Sequence, residues 1–284
     1  VKDTTDGATA PGDAETRGTP RGRALAAAVL AGLFIATYAW TALDLGHALV
    51  VQGRLVLSLC VTGAAGFLIW ERRGLIQEAR MSPSWWGLVP LAISFLLLFV
   101  GTRAEVVFAG GMTATFLRGI SALLCIGGAG LLLMGEEAMR PLWLPLGMLV
   151  FALPENYFTS TLLPLPLQTI AIVVSQKLGG LIGFDILREG HVLHTAGFSA
   201  NVSEACSGIR SLLTALPAAM FFAGWSLKTP KMKAILVAAA VPITVAANVI
   251  RVSTTLFLGA GVGPAYAKGF FHYFAGMAVF LLSL

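Results

Sequence analysis

Residues 202–222 read VSEACSGIRSLLTALPAAMFF. From Leu212 onward the stretch is a run of Leu, Ala, Met and Phe suited to lipid, but it opens with Glu204, Cys206, Ser207 and Arg210. An acid, a thiol, a hydroxyl and a guanidinium do not belong in hydrocarbon without a reason. The stretch reads as a membrane span whose polar start stands at one surface, and what that start does is the central question.

The rest of the chain shares the apolar bias. Of its 284 residues, 57% are hydrophobic and 12% charged, with a mean hydropathy of +0.83. A soluble domain is roughly 45–50% apolar and about 25% charged. The fold class is therefore an all-α polytopic membrane protein. The net charge of +5 comes without a long basic tract. The cations punctuate hydrophobic runs as topology signals do, so no nucleic-acid partner is expected. Three cysteines, Cys60, Cys125 and Cys206, make no disulfide framework. Cys60 and Cys125 sit in apolar runs and read as small packing residues.

Hydropathy places about eight spanning helices, at residues 24–43, 48–70, 85–100, 116–134, 142–153, 207–225 and 234–258, with an eighth from near 271. Gln52 and Arg54 interrupt the second near its start, and residues 103–115 are apolar enough to re-enter the membrane. Residues 1–23 are polar, rich in Gly, Pro and Thr, and read as a disordered cytoplasmic tail. They form no signal peptide, because no short apolar region with a cleavage site follows. The chain opens with Val and stops inside GMAVFLLSL. The membrane domain, 24–284, is thus expected to be cut at its C-terminus, with its catalytic part at about 140–284. No internal repeat points to an inverted-repeat transporter.

Lys and Arg in short loops set the orientation. Arg17, Arg21 and Arg23 precede the first span; Arg72, Arg73 and Arg80 follow the second; Arg140 follows the fourth; Lys228, Lys231 and Lys233 follow the sixth. If every span crosses once, all four groups share one side, and that side is cytoplasmic. Arg103, Lys177, Arg188 and Lys268 fall on the other. The connection 154–205 is then extracytoplasmic. Its first half is amphipathic to apolar and suits an interfacial or dipping helix. Its second half has short alternating runs broken by REG and TAG, which suit one or two β-hairpins. Together they would cap the outer face before the sixth span.

This topology brings reactive side chains to one plane. The sixth span runs inward from Cys206. The seventh runs outward from Lys233 and reaches Arg251 about 18 residues on, roughly 27 Å, close to one hydrocarbon thickness. The eighth starts at His272. A thiolate is the strongest side-chain nucleophile, and a helix N-terminus, a guanidinium and an imidazole all favour it. Arg210, four residues on from Cys206, would share its helix face. His272 can protonate a leaving amine and then activate an incoming nucleophile, and Arg251 can hold a carbonyl or developing oxyanion. Glu204 opposes a thiolate if it points inward, and otherwise anchors Arg210 or meets substrate. Each residue also has a plainer reading: a thiol that packs, an arginine that snorkels, a histidine in an aromatic belt beside Phe271 and Tyr273. Against these stands Asn248, on the same helix face as Arg251 and equally costly in lipid. His191 and His194 in HVLH lack companion ligands at metal spacing and read as strand or loop surface, and His47 as interfacial. No metal or cofactor is expected.

The blocks EACSGIRSL (204–212), NVIRV (248–252) and HYFAG (272–276) resemble, in order and spacing, the three signature blocks of the exosortase/archaeosortase family. The upstream LPLPLQTIAIVVSQKLGGLIGF and ILREGHVLH look like that family's segment before the cysteine. The resemblance covers about residues 140–280; the first four spans match in hydropathy alone. It implies a membrane cysteine transpeptidase, analogous to sortase in function and unrelated in fold. Carried over, Cys206 is the nucleophile, Arg251 the essential arginine and His272 the acid/base. Ser207, Gly208 and Arg210 complete the cysteine block, while Asn248 and Gly276 lie in the other two. The implied partners are exported proteins ending in a short motif, a transmembrane helix and a basic cluster, and a lipid or polysaccharide acceptor at the envelope. The competing reading is a transporter or flippase linked to polysaccharide export, with Arg54, Asn248 and Arg251 along a polar path. That reading predicts a site near the midplane at broken helices, for which Pro217 and Pro242 are candidates. A scaffold in an export assembly would ask nothing of Cys206.

Overall fold

The computed structural model describes residues 20–107, 111–154, 158–195, 198–201 and 208–263. It divides into two compact units, Val1–Trp40 and Thr41–Leu284. In the first unit lies the start of α1 (Pro20–Val51), so residues 20–23 of the expected tail are helical. Phe34 and Tyr38, one turn apart there, bring their rings to 4.7 Å.

In the second unit α1 runs to Val51. The sequence reading started its second span at residue 48, but residues 48–51 are the last turn of α1. The break falls at Gln52–Arg54, where Gly53 takes a left-handed φ of 65° at little steric cost. Then come α2 (Leu55–Glu71), α3 (Arg73–Glu78), a 3₁₀ turn at Trp85–Gly87, α4 (Leu88–Val107) and α5 (Gly111–Met134). Residues 103–107 and 111–115 are therefore the ends of two long helices, not a re-entrant element of their own. α4 and α5 form an antiparallel hairpin along a seam of small residues seven apart. A Cβ on Gly128 would lie 2.8 Å from the Gly87 carbonyl oxygen, and one on Gly101 would lie 3.3 Å from that of Ala114. Midway, the Ser94 and Ser121 hydroxyls are 3.3 Å apart, and Ser121 donates to the Ser94 carbonyl at 2.8 Å. Small residues let the two backbones approach, which is how helices associate where lipid removes the hydrophobic drive.

The expected fifth span, 142–153, is not one helix. It is a string of short pieces: α6 (Glu136–Met139), a 3₁₀ turn at Arg140–Leu142, α7 (Trp143–Met148) and a second 3₁₀ turn at Leu149–Ala152. Gly135 at φ 84°, Pro141 and Pro145 interrupt regular helical bonding. The string still follows α2. Met148 and Ala152 pack with Val61 and Leu68, and the Ser58 hydroxyl donates to the Ala152 carbonyl at 2.8 Å. At the other end of α2, the Arg72 guanidinium donates to the carbonyls of Pro141 (2.6 Å) and Gly224 (2.7 Å). Burial pulls its pKa below the ordinary arginine value, with the Glu71 carboxylate opposing.

A π turn at Phe158–Leu162 leads into α8 (Pro164–Ile182), followed by a three-stranded antiparallel sheet in the order β1 (Leu187–Glu189), β2 (Val192–Thr195), β3 (Phe198–Asn201). The chain continues in α9 (Ile209–Ser226) and α10 (Pro230–Gly261). Among the described residues five helices are long and apolar enough to cross a membrane: Ala31–Val51, Trp85–Arg103, Gly111–Met134, Thr159–Ile182 and Pro230–Gly261, with α2 shorter. The all-α membrane class holds, while the count differs from eight. The fifth expected span is fragmented, the sixth, α9, is not among the five, the apolar α8 was not counted, and the eighth lies outside the described residues.

α10 organises the site. Its 32 residues span about 48 Å, well beyond the roughly 30 Å of hydrocarbon. α9 runs antiparallel along the first half, with Leu212 near Thr244 and Gly208 against Asn248. α8 runs parallel along the second half. The Ser253 hydroxyl donates to Ser175 at 2.9 Å, and Phe257 stacks on Phe184 just past the end of α8 (centroids 5.5 Å apart). α8 turns Gln168, Ala171, Ile172, Ser175 and Gly179 inward, a stripe at helical spacing. Ala171 and Ile172 join Ile186 and Leu193 of the sheet region in one core with Val249, Val252 and Leu256. α8 and α9 therefore lie end to end along α10, and their first turns meet at Asn248.

Candidate functional site at the α8–α9–α10 junction

Gly208 precedes α9 in a left-handed conformation, φ 79°, which L side chains adopt rarely. It is also buried, and a Cβ there would lie 2.7 Å from Asn248 Cγ and 2.9 Å from Asn248 Nδ2. Both features demand glycine. Asn248 is 5% exposed. Beside this contact is a void of about 10 Å³ lined by Leu167, Gly208, Leu212, Thr244, Val245 and Asn248, at the lower limit of what holds one water. Arg251, three residues on from Asn248 in α10, is half-buried.

α9 starts at Ile209, just after Gly208, so the periodicity of α9 supports no shared face for Arg210 and Cys206, and Cys206 itself lies outside the described residues. Helical periodicity cannot be carried back across a residue at positive φ. Arg210 is exposed in the first turn of α9. Glu204, Cys206, Ser207, His272 and Gly276 lie outside the described residues. What the structure does bring together is the trailing glycine of the cysteine block and the asparagine of the arginine block.

It also adds buried polar groups that the sequence reading passed over. Gln168 is 4% exposed, Thr244 2%, Ser175 0% and Ser253 5%. Gln168 had a visible signal, since it interrupts the apolar run LPLPLQTIAIVV. Ser175 and Ser253 had none, because serine is common in spanning helices and only the register of α8 on α10 pairs them. Elsewhere, His194 on β2 meets the Ser199 hydroxyl at 2.8 Å and a Glu189 oxygen at 3.5 Å across an exposed sheet face. Cys60 is exposed and Cys125 half-buried.

The fold and the junction define a class: a helical, multipass membrane protein with polar groups gathered where three helices meet. The family model for transmembrane exosortase (Exosortase_EpsH) matches residues 52–284. The chain belongs to that family, one of sorting-related membrane cysteine transpeptidases. No curated protein and no solved structure matches the chain.

Proposed function

We propose that this protein cleaves C-terminal sorting signals from exported proteins and transfers them to an envelope acceptor, with Cys206 as nucleophile. The observation that carries this reading is the buried contact of Gly208 with Asn248. It ties the turn two residues after Cys206 to the helix turn that bears Arg251. In the proposed reaction the Cys206 thiolate attacks the scissile carbonyl, and Arg251 steadies the oxyanion. The C–N bond breaks, His272 gives its proton to the departing amine, and a thioester remains. An acceptor hydroxyl or amine, giving its proton to His272, then attacks the thioester and frees the thiolate. Glu204, Ser207, Arg210 and Gly276 complete the proposed site as supporting or substrate-binding residues.

The orientation proposed is an extracytoplasmic site in the cytoplasmic membrane. Arg72 joins the end of α2 to Pro141, in the turn before α7, and to Gly224 near the end of α9, and Arg73, Arg140, Lys228, Lys231 and Lys233 lie within a few residues of these points. Such an accumulation marks the cytoplasmic side, and Gly208 and Asn248 lie toward the opposite end of α9 and α10. The transporter reading asked for helices broken at Pro217 and Pro242; both prolines sit inside continuous helices.

The test is processing of a tagged secreted protein from the host that carries a motif–helix–basic tail. Cys206→Ala is expected to lower processing by on the order of 10⁴-fold or more, while Cys60→Ala and Cys125→Ala leave it unchanged. Normal processing by Cys206→Ala would end the assignment.

A further inference from the structure

A second polar cluster lies away from this junction. The last two turns of α1 and the first two of α5 enclose a cleft of about 300 Å³ whose lining includes Asp44, His47, Val51, Met112, Thr115 and Arg118. Asp44 is seven residues before the end of α1 and Arg118 seven after the start of α5, so each lies about 10 Å inside its helix end. Both lie within segments long and apolar enough to cross a membrane, Ala31–Val51 and Gly111–Met134. The Arg118 side chain is 7% exposed and its Nη2 is 3.2 Å from Asp44 Oδ2, whose side chain keeps 31% exposure. The same nitrogen is 3.3 Å from the Thr115 hydroxyl. On the far side α4 comes close: a Cβ on Gly101 would lie 3.0 Å from Arg118 Cγ, so the arginine stem is backed by helix and its head is delivered to the cleft.

A buried ion pair is weak grounds for stability, since an apolar replacement is often as good. A pair lining an open cleft has another use. The two formal charges cancel. A bare anion entering the cleft meets the Asp44 carboxylate, and a bare cation meets the Arg118 guanidinium. A group carrying both signs satisfies both. The planar guanidinium suits a phosphate, and a primary ammonium donates hydrogen bonds to a carboxylate where a quaternary ammonium has none to give. The rim is apolar, with Val51 61% and Met112 36% exposed, between two helices long enough to span a membrane. We infer that this cleft binds the head group of a zwitterionic aminophospholipid, its phosphate on Arg118 and its ammonium on Asp44. Asp44 and His47 precede residue 52, where the family match begins, so the site rests partly on this chain's own first helix.

The experiment is native mass spectrometry of the full chain in detergent, titrated with phosphatidylethanolamine or with phosphatidylcholine of the same acyl chains. About tenfold tighter retention of the ethanolamine lipid is expected, the worth of one charge-assisted hydrogen bond. Asp44→Asn should bring the two lipids to parity while Arg118→Lys weakens both. Equal retention by the unmodified protein overturns the inference with no variant needed. So does an ethanolamine preference that survives in Asp44→Asn of unchanged thermal stability. Displacement of bound lipid by inorganic phosphate would make the cleft a simple anion site, and equal affinity for soluble glycerophosphoethanolamine would remove the lipid; either result overturns the assignment.

Discussion

Two antiparallel helix pairs, α4–α5 and α9–α10, use glycine to bring elements close, and they use it for different ends. In α4–α5 the residue opposite glycine is backbone: Gly128 faces the Gly87 carbonyl, and the Ser94–Ser121 pair is buried within the seam. In α9–α10 the residue opposite Gly208 is the Asn248 side chain, and the approach is made by a glycine at positive φ. The first pair is a packing device. The second seats the Asn248 side chain against Gly208, the glycine of the cysteine block. Each pair also has a thiol in or beside it in the sequence, Cys125 in α5 and Cys206 two residues before Gly208.

The sharpest way to break this contrast is topological. In a background with all three native cysteines replaced by alanine, His191→Cys in the β1–β2 turn should react with a membrane-impermeant maleimide added to intact cells, all or none. Labelling from the cytoplasmic side alone would place the junction on the wrong face for an exported substrate. Next in size is a matched pair of substitutions. Gly208→Ala should lower processing per folded molecule by about 100-fold, the cost of misplacing a reacting group by about an ångström. Gly128→Ala should leave processing per folded molecule unchanged and cost about 1–3 kcal/mol of stability in detergent unfolding, the usual penalty of overpacking. Equal effects from the two would erase the distinction. The smallest effects belong to the serine pairs. Ser175→Ala and Ser121→Ala should each cost about 1 kcal/mol, and a double cycle between Ser175 and Ser253 should return a coupling of about 0.6 kcal/mol. A coupling near zero would mean that the contact of α8 with α10 rests on the apolar core alone.

Much of the fold could be read directly. Long apolar runs became α1, α4, α5 and α10, and the polar interruption at Gln52–Arg54 became the turn between α1 and α2. Residues 142–153 were misread because mean hydropathy registers lipid-like composition and is blind to the loss of hydrogen-bond donors at Pro141 and Pro145. The number of spans suffered for the same reason, since hydropathy does not reveal that α8 lies beside the second half of α10. At the candidate site, Asn248 and Arg251 stood out as polar residues in an apolar helix, and Gly208 as part of the cysteine block. The expected relation of Arg210 to Cys206 assumes a helix continuous through residue 208, whereas α9 begins after Gly208 at positive φ and Cys206 lies outside the described residues.

The sequence by itself determined that this is a helical membrane protein, because backbone polar groups in lipid must be satisfied within each segment and apolar runs of this length leave helix as the solution. It also determined which residues are out of place there, because a charge or amide in hydrocarbon is costly enough to show against its neighbours. Only the tertiary structure decided which of them meet. The approach of Gly208 to Asn248, the pairing of Ser175 with Ser253 and the facing of Asp44 with Arg118 all depend on the register of one helix against another. Register follows from close packing of side chains distant in the chain, and local pattern does not encode it.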